Sequence, residues 1–462
     1  MASHPDRRTP VVVLAGLPGP ATTGVDHLAR MLRDAPGTVV VRHDLTELSA
    51  GIVRRAVWSN TSEVRGPARF WTDGAGERSG GAEEGRNEPQ GPRTRAAEGG
   101  AINTASCTLR ADLLPLLCLL AARDSVRRIV IALDPAFEAE AVCHAVEHVP
   151  VAGVLGRVDG PAGRDVRIEA VLTCLDARTW LADALSGDSL AERGLADADD
   201  ERTVAQVTVG QVEFADAAVV LGVDAVTVHE RAQLGAVLER LIPRAPVAWV
   251  GDSKMLSPGE IADLLNRLPA DSRRGRIFDA HAPLLRGQPP LDAESGVALV
   301  EFATNRPFHP GRLHEALDVL FDGVVTARGR IWLATQPDEV VWLESAGGGL
   351  RVGSAGRWLA AMTPGESAEA DPDRRALAAL RWDEWSGDRD ISLAILTCDA
   401  DPDEIRRALH WALVDEAELL LVRAAPELVA RWDDPFGDWH EDPCDTSEPS
   451  ASLVGEQRAK ER

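Results

Sequence analysis

Short uninterrupted runs of Val, Ile, Leu and Ala alternate, through the first 250 residues, with segments whose apolar positions recur at helical spacing. Residues 10–15 (P-V-V-V-L-A) are too short and too uniformly apolar for a surface helix and predict a buried parallel strand. A Gly/Pro loop follows. Helical spacing then resumes over 25–34, and 38–41 predicts a second strand. Further strands are expected at 52–58, 128–133, 167–175, 217–221 and 247–250, with helices at 111–123, 203–213 and 231–241. Strands separated by helical segments predict an α/β domain with a doubly wound, mostly parallel sheet.

The pattern changes twice. Residues 61–100 are rich in Gly, Glu, Arg, Ser and Pro with few aliphatics, so they bury too little surface to offset ordering entropy; they are expected as a disordered insert. Residues 268–290 are rich in Pro, Arg and Gly and read as a linker. Beyond it the strand-like runs are 297–303, 323–336, 339–345, one within 350–361, and 391–397, with helices at 310–320 and 401–413. The expected organisation is a first domain over 1–270, a linker at 271–290, a smaller α+β domain over 291–425 and an acidic, disordered tail over 426–462.

Composition narrows the function classes. The formal net charge of −24 disfavours an extensive nucleic-acid face, because phosphates would meet net repulsion. Residues 1–10 are polar and lead straight into the first strand, and no apolar run reaches the ~18 residues needed to cross a bilayer. The six cysteines are scattered, as expected of free core thiols in a reduced, cytoplasmic protein.

The candidate chemistry starts at residues 16–24, G-L-P-G-P-A-T-T-G. A phosphate-binding loop, G-x-x-x-x-G-K-[ST], sits between a strand and a helix; its amides cradle phosphate, its Lys reaches the outer phosphates and its hydroxyl reaches Mg²⁺. Here Gly16, Gly19 and Gly24 keep the glycine character, Thr22 stands where Lys belongs, Ala21 replaces a glycine, and Thr23 is the candidate Mg²⁺ ligand. By itself the segment reads equally as a strand-to-helix turn.

Other segments add to it. Residues 106–114 (S-C-T-L-R-A-D-L-L), 300–313 (V-E-F-A-T-N-R-P-F-H-P-G-R-L), 323–338 (G-V-V-T-A-R-G-R-I-W-L-A-T-Q-P-D) and 388–396 (D-R-D-I-S-L-A-I-L) together resemble the CobW family of P-loop GTPases, which includes zinc metallochaperones and cobalamin-synthesis proteins. The resemblance implies a P-loop NTPase-like domain followed by a CobW C-terminal domain. Residues 38–58 and the A-L-D-P-A run at 132–136 are similar to the actinobacterial branch that recruits a ribosome hibernation factor to ribosomes.

The chain departs from the family pattern at three further points. Where the family carries C-x-C-C before T-L-R, a spacing suited to Zn²⁺, Thr104, Ala105, Ser106 and Cys107 stand here. Cys107 alone cannot build that site, although His43 or Cys143 could approach it; as a leftover or redox-reactive thiol it needs no metal. The switch segment E-T-T-G is replaced by A-L-D-P at 132–135. Asp134 there is a candidate metal ligand, or a cap for a helix over 136–144. The guanine-reading N-K-x-D is replaced by Gly222, Val223 and Asp224. Asp176, at a strand end, either orients metal or water or caps a helix over 179–185. His309 is expected to cap or support, and Trp332, Trp342 and Trp358 to lie in the core.

These departures predict weak or lost binding of GTP and Mg²⁺ and inefficient hydrolysis. The leading expectation is a scaffold that recruits a hibernation factor to the ribosome, linked to zinc homeostasis. The alternative is a GTP-dependent metallochaperone delivering Zn²⁺ to a client protein.

Overall fold

The computed structural model describes residues 7–17, 19–45, 52–59, 63–67, 108–135, 137–196, 200–252, 255–285 and 287–437. Its first part holds β1 (Thr9–Ala15), α1 (Pro20–Arg33), β2 (Thr38–Asp44), β3 (Arg54–Ser59), β4 (Glu63–Pro67), α2 (Leu114–Ala121), β5 (Arg128–Ala132), α3 (Ala139–His148), the two-residue strands β6 (Pro150–Val151) and β7 (Gly160–Pro161), β8 (Val166–Asp176), α4 (Trp180–Ala184), α5 (Val204–Glu213), β9 (Ala217–Leu221), α6 (Val228–Leu241), β10 (Val247–Trp249) and α7 (Pro258–Asn266). Eight strands form one sheet in the order β10-β9-β8-β1-β5-β2-β3-β4. All pairings from β10 to β2 are parallel; β3 and β4 add an antiparallel edge. Alternation along β1 separates the layers: Val11 and Val13 pack with α2 and α3, while Val12 and Leu14 pack with α1 and α7. This is the doubly wound α/β sheet that the uniformly apolar runs predict.

The second part holds β11 (Val297–Thr304), α8 (Pro310–Ala316), β12 (Val324–Ile331), β13 (Glu339–Ala346), β14 (Gly349–Arg357), α9 (Pro364–Glu369), α10 (Pro372–Arg381), β15 (Ile391–Cys398), α11 (Pro402–Ala412), α12 (Glu416–Ala424) and α13 (Pro426–Val429). Its strands form an antiparallel sheet, β11-β15-β12-β13-β14. One face, with Val300, Phe302, Leu343 and Ile395, buries against α8 and α11. The opposite face, with Leu299, Val325 and Leu396, packs on α5 and α6 of the first part.

Three expectations change. Residues 63–67, within the expected insert, form β4, because pairing with β3 (Val57 opposite Val64) satisfies their backbone groups; residues 68–100 lie outside the described residues. The expected linker is packed rather than free: Arg273 stacks on Phe214 and the His281 ring meets Trp358 edge-on. The start of the expected tail is also folded, with Val429 and Phe436 buried and Asp434 accepting hydrogen bonds from Thr335 (2.5 Å) and Gln336 (3.0 Å).

The seam between the sheets carries charge. Arg328 on β12 pairs with Glu213 at the end of α5 (2.7 Å), and the β-register sets Glu344 between Arg328 and Arg351. Burial, and then the facing Glu213 carboxylate, push Glu344 up to about 7 against the pull of Arg328 and Arg351; Glu140 adds to the rise. A carboxyl raised on folding contributes stability that is fully present below the ordinary carboxylate range and is lost as pH rises through about 7. Denaturant midpoints are therefore expected to fall between pH 5.5 and 8, and Glu344→Gln to flatten that fall. A variant with the wild-type slope would assign the pH dependence to other groups.

Candidate functional site

The carboxyl edge of the parallel sheet gathers the loop after β1 and the ends of β5, β8 and β9, the edge at which open α/β sheets bind ligands. The loop 16–24 is shaped by packing. A Cβ on Gly16 would stand 3.0 Å from the Cys174 carbonyl and 3.1 Å from Val25, and one on Gly24 would stand 2.7 Å from Leu221. Both glycines therefore let α1 lie close on the sheet. Gly19, the N-cap of α1, has φ 112°, which favours glycine. Pro20 opens the helix, and Pro18 and Pro20 carry no N–H, so two positions of a phosphate cradle supply no donor. The Thr22 hydroxyl, at the lysine position, turns back and donates to the Leu17 carbonyl (3.0 Å). Thr23 is exposed, and its amide donates to the Gly19 carbonyl (3.3 Å).

The two candidate carboxylates have protein partners. Asp134 accepts the Leu45 N–H (3.1 Å). It does not cap the following helix: α3 begins at Ala139, with Glu138 as N-cap and no side-chain capping bond. The local capping expectation is overridden because Asp134 lies beside the end of β2, whose Leu45 amide needs an acceptor. Asp176 takes the Arg178 guanidinium with both oxygens (2.9 and 3.0 Å) and also accepts the Arg178 amide (3.1 Å). It does not cap α4, whose N-cap Thr179 makes no side-chain bond. Gly222, with φ 72°, lies against this Asp–Arg pair, and Asp224 accepts the Asp252 N–H (3.2 Å).

Among the described residues, no group of three or more His, Cys, Asp or Glu is arranged to hold a metal. Cys107 lies outside the described residues. His43 is instead committed to Asp112 (2.6 Å), which Arg55 also contacts; His43 and Asp112 are buried. A turn of π-helix, Leu109–Leu113, carries Asp112 ahead of α2. Cys143 sits in the core with α2 and α3. Burial holds the described thiols protonated: Cys118 is pushed up to about 11, Cys174 and Cys398 to about 12, and Cys143 also upward. His309 caps α8, accepting the Arg312 amide, and stacks on Trp432. Trp332 and Trp358 are buried and Trp342 half-buried.

Sequence reading missed a small cleft of about 30 Å³ behind the loop, room for a water or two, bounded by Leu17 and Ala21, the end of β8, α4 and α5. Its lining includes Asp176, Asp183, Thr208 and Gln211. It also missed the pairing of His43 with Asp112, which a π-turn hides from helical periodicity.

Residues 297–413 match the family described as cobalamin synthesis protein cobW C-terminal domain, the span from β11 to just past α11. A zinc chaperone of Mycobacterium tuberculosis is 43% identical over 437 residues, covering 95% of each chain. Zinc-regulated GTPase metalloprotein activator 1 of Dictyostelium discoideum is 25% identical over 340 residues, 71% of this chain and 68% of that one. The Zn(II)-bound YjiA GTPase of E. coli aligns with 88% of this chain and 99% of its own, at 14% identity and a TM-score of 0.34. No helix among the described residues is long and apolar enough to cross a membrane.

Proposed function

The chain belongs to the CobW family, and from that premise we propose that it is a zinc-handling chaperone whose phosphate loop holds nucleotide weakly. The observation that carries this reading is the 43% identity, over nearly the whole of both chains, to a protein named as a zinc chaperone. It puts the metallochaperone reading ahead of ribosome recruitment. The loop supports the second half of the proposal: its backbone course is kept by packing, while Thr22 replaces the charged donor and two prolines remove amides. With Asp134 and Asp176 both engaged by N–H groups of the protein, Thr23 is the site's uncommitted candidate for Mg²⁺.

Zinc enters this reading as cargo. The described residues gather no zinc site, and the four buried thiols would have to lose both protons and packing to ligate. Two cysteines, Cys107 and Cys444, lie outside the described residues, and Cys107, at the position of the family's cysteine motif, is the thiolate assigned to handling the metal. Competition of the full chain against a chromophoric zinc chelator, with and without Mg–GTP, tests this. Zinc retention is expected to fall to background in Cys107→Ser; unchanged retention would reject Cys107 as the handling residue, and no retention or transfer by the wild type would reject the chaperone reading.

The departures at Thr22, 132–135 and 222–224 favour a second reading, a scaffold that brings a hibernation factor to the ribosome without turnover. Co-sedimentation of chain, factor and ribosomes in low and high zinc, together with absent zinc transfer, would put that reading first.

A further inference from the structure

Helix α3 turns one side to the core and the other to solvent. Val142, Cys143, Ala145 and Val146 are buried, which fixes the helix on the sheet; His144 and His148, one turn apart, stand exposed on the solvent side. Their ring centroids are 4.7 Å apart and the ring planes are inclined by 41°. Side chains at i and i+4 share a helix face. Two imidazoles bound to one tetrahedral zinc ion, at about 2.0–2.1 Å from each nitrogen, hold their ring centroids roughly 5 Å apart. The pair therefore already stands near the separation that a shared ion needs, on a backbone held by packing.

The helix favours a cation there. It carries Glu140 and Glu147 and neither Lys nor Arg, and His148 lies in its last turn, at the negative end of the helix dipole. Two protonated imidazoles at this spacing repel each other, whereas a metal ion joins them. No group of three His, Cys, Asp or Glu among the described residues is arranged to hold a metal. The pair thus supplies two donors and leaves the other positions of a tetrahedral ion to water or to donors of another molecule. Such an open site releases its ion more readily than a closed structural one.

We propose that His144 and His148 form a partial zinc-holding site on the surface, from which the ion passes to the donors of a partner. Only the passing-on rests on the zinc-handling reading above; binding by the pair does not. The site takes divalent ions that favour imidazole, with Zn²⁺ as the cargo, and not Mg²⁺, which prefers oxygen. Two donors do not hold zinc against a strong chelator, so the pair is read directly rather than by the competition that tests Cys107.

Carbethoxylation of the histidines, read by mass spectrometry on the full chain at about pH 7.5, above the ordinary histidine pKa, tests the site. At a zinc concentration about ten times the midpoint, roughly a tenth of the pair stays unliganded, so modification of His144 and His148 is expected to slow together by about tenfold. Mg²⁺ is expected to protect neither. His229 and His314, also exposed, serve as internal controls. In His148→Ala the protection of His144 should vanish, and His144→Ala should do the same to His148, because a shared ion needs both rings. Both substitutions fall at exposed positions, where the fold tolerates change. Protection of one ring that survives loss of the other, equal protection of the controls, or no protection by zinc overturns the proposal. Paired protection without zinc transfer by the wild type leaves the site standing and rejects the chaperone reading; transfer without paired protection rejects the site alone.

Discussion

Thr22→Lys is expected to tighten Mg–GTP binding by roughly tenfold, measured by calorimetry or with a fluorescent nucleotide. A charged hydrogen bond is worth about 1.5–3 kcal/mol net, or roughly one to two decades in affinity. The lower figure is expected because the reversion restores one donor while Pro18 and Pro20 still withhold theirs. The new side chain must also replace the bond that Thr22 makes to the Leu17 carbonyl. Pro20→Gly added to Thr22→Lys should tighten binding further by returning an amide at the start of α1. If neither variant binds, the ends of β5 and β9 limit affinity, and the loop is a scaffold element only.

Asp112→Ala is expected to be the most destabilising of these substitutions. It leaves the buried His43 without its partner and removes the carboxylate facing Arg55. Breaking one side of a buried charged pair costs about 3–5 kcal/mol, and the low end applies because Arg55 keeps some contact with water. The loss should appear in the denaturant midpoint and as faster amide exchange in β2 and β3, which carry His43 and Arg55. Asp112→Asn, which keeps a hydrogen-bonding oxygen, should recover part of it. A midpoint within about 0.5 kcal/mol of wild type, the range of ordinary surface changes, would show that the cluster does not hold this edge of the sheet.

Much of the fold was legible because its signals are local. The apolar runs at β1, β5, β8 and β9 are the buried strands they predict, and Asp401 caps α11 where a helix over 401–413 is expected. Other local signals were present but unread: Ser257 and Glu260 form a capping box at the start of α7. Helices α9 and α10 bury no residue, so periodicity offered little to read there.

The loop 16–24 shows where local reading ends. Its glycine spacing, missing lysine and two prolines are properties of the sequence, and they determined that any nucleotide would meet a donor-poor cradle. The motifs in the second half likewise determined membership of the CobW family. Only the tertiary structure decided that Gly16 and Gly24 are required by packing against Cys174 and Leu221. It also decided that Asp134 serves Leu45 and that α5 packs on a second sheet, with Glu213 paired to Arg328. The physical reason is range. Strand burial, capping and backbone donors depend on neighbours in sequence, whereas a carboxylate takes whichever N–H the fold brings within about 3 Å, and no spacing rule predicts that partner.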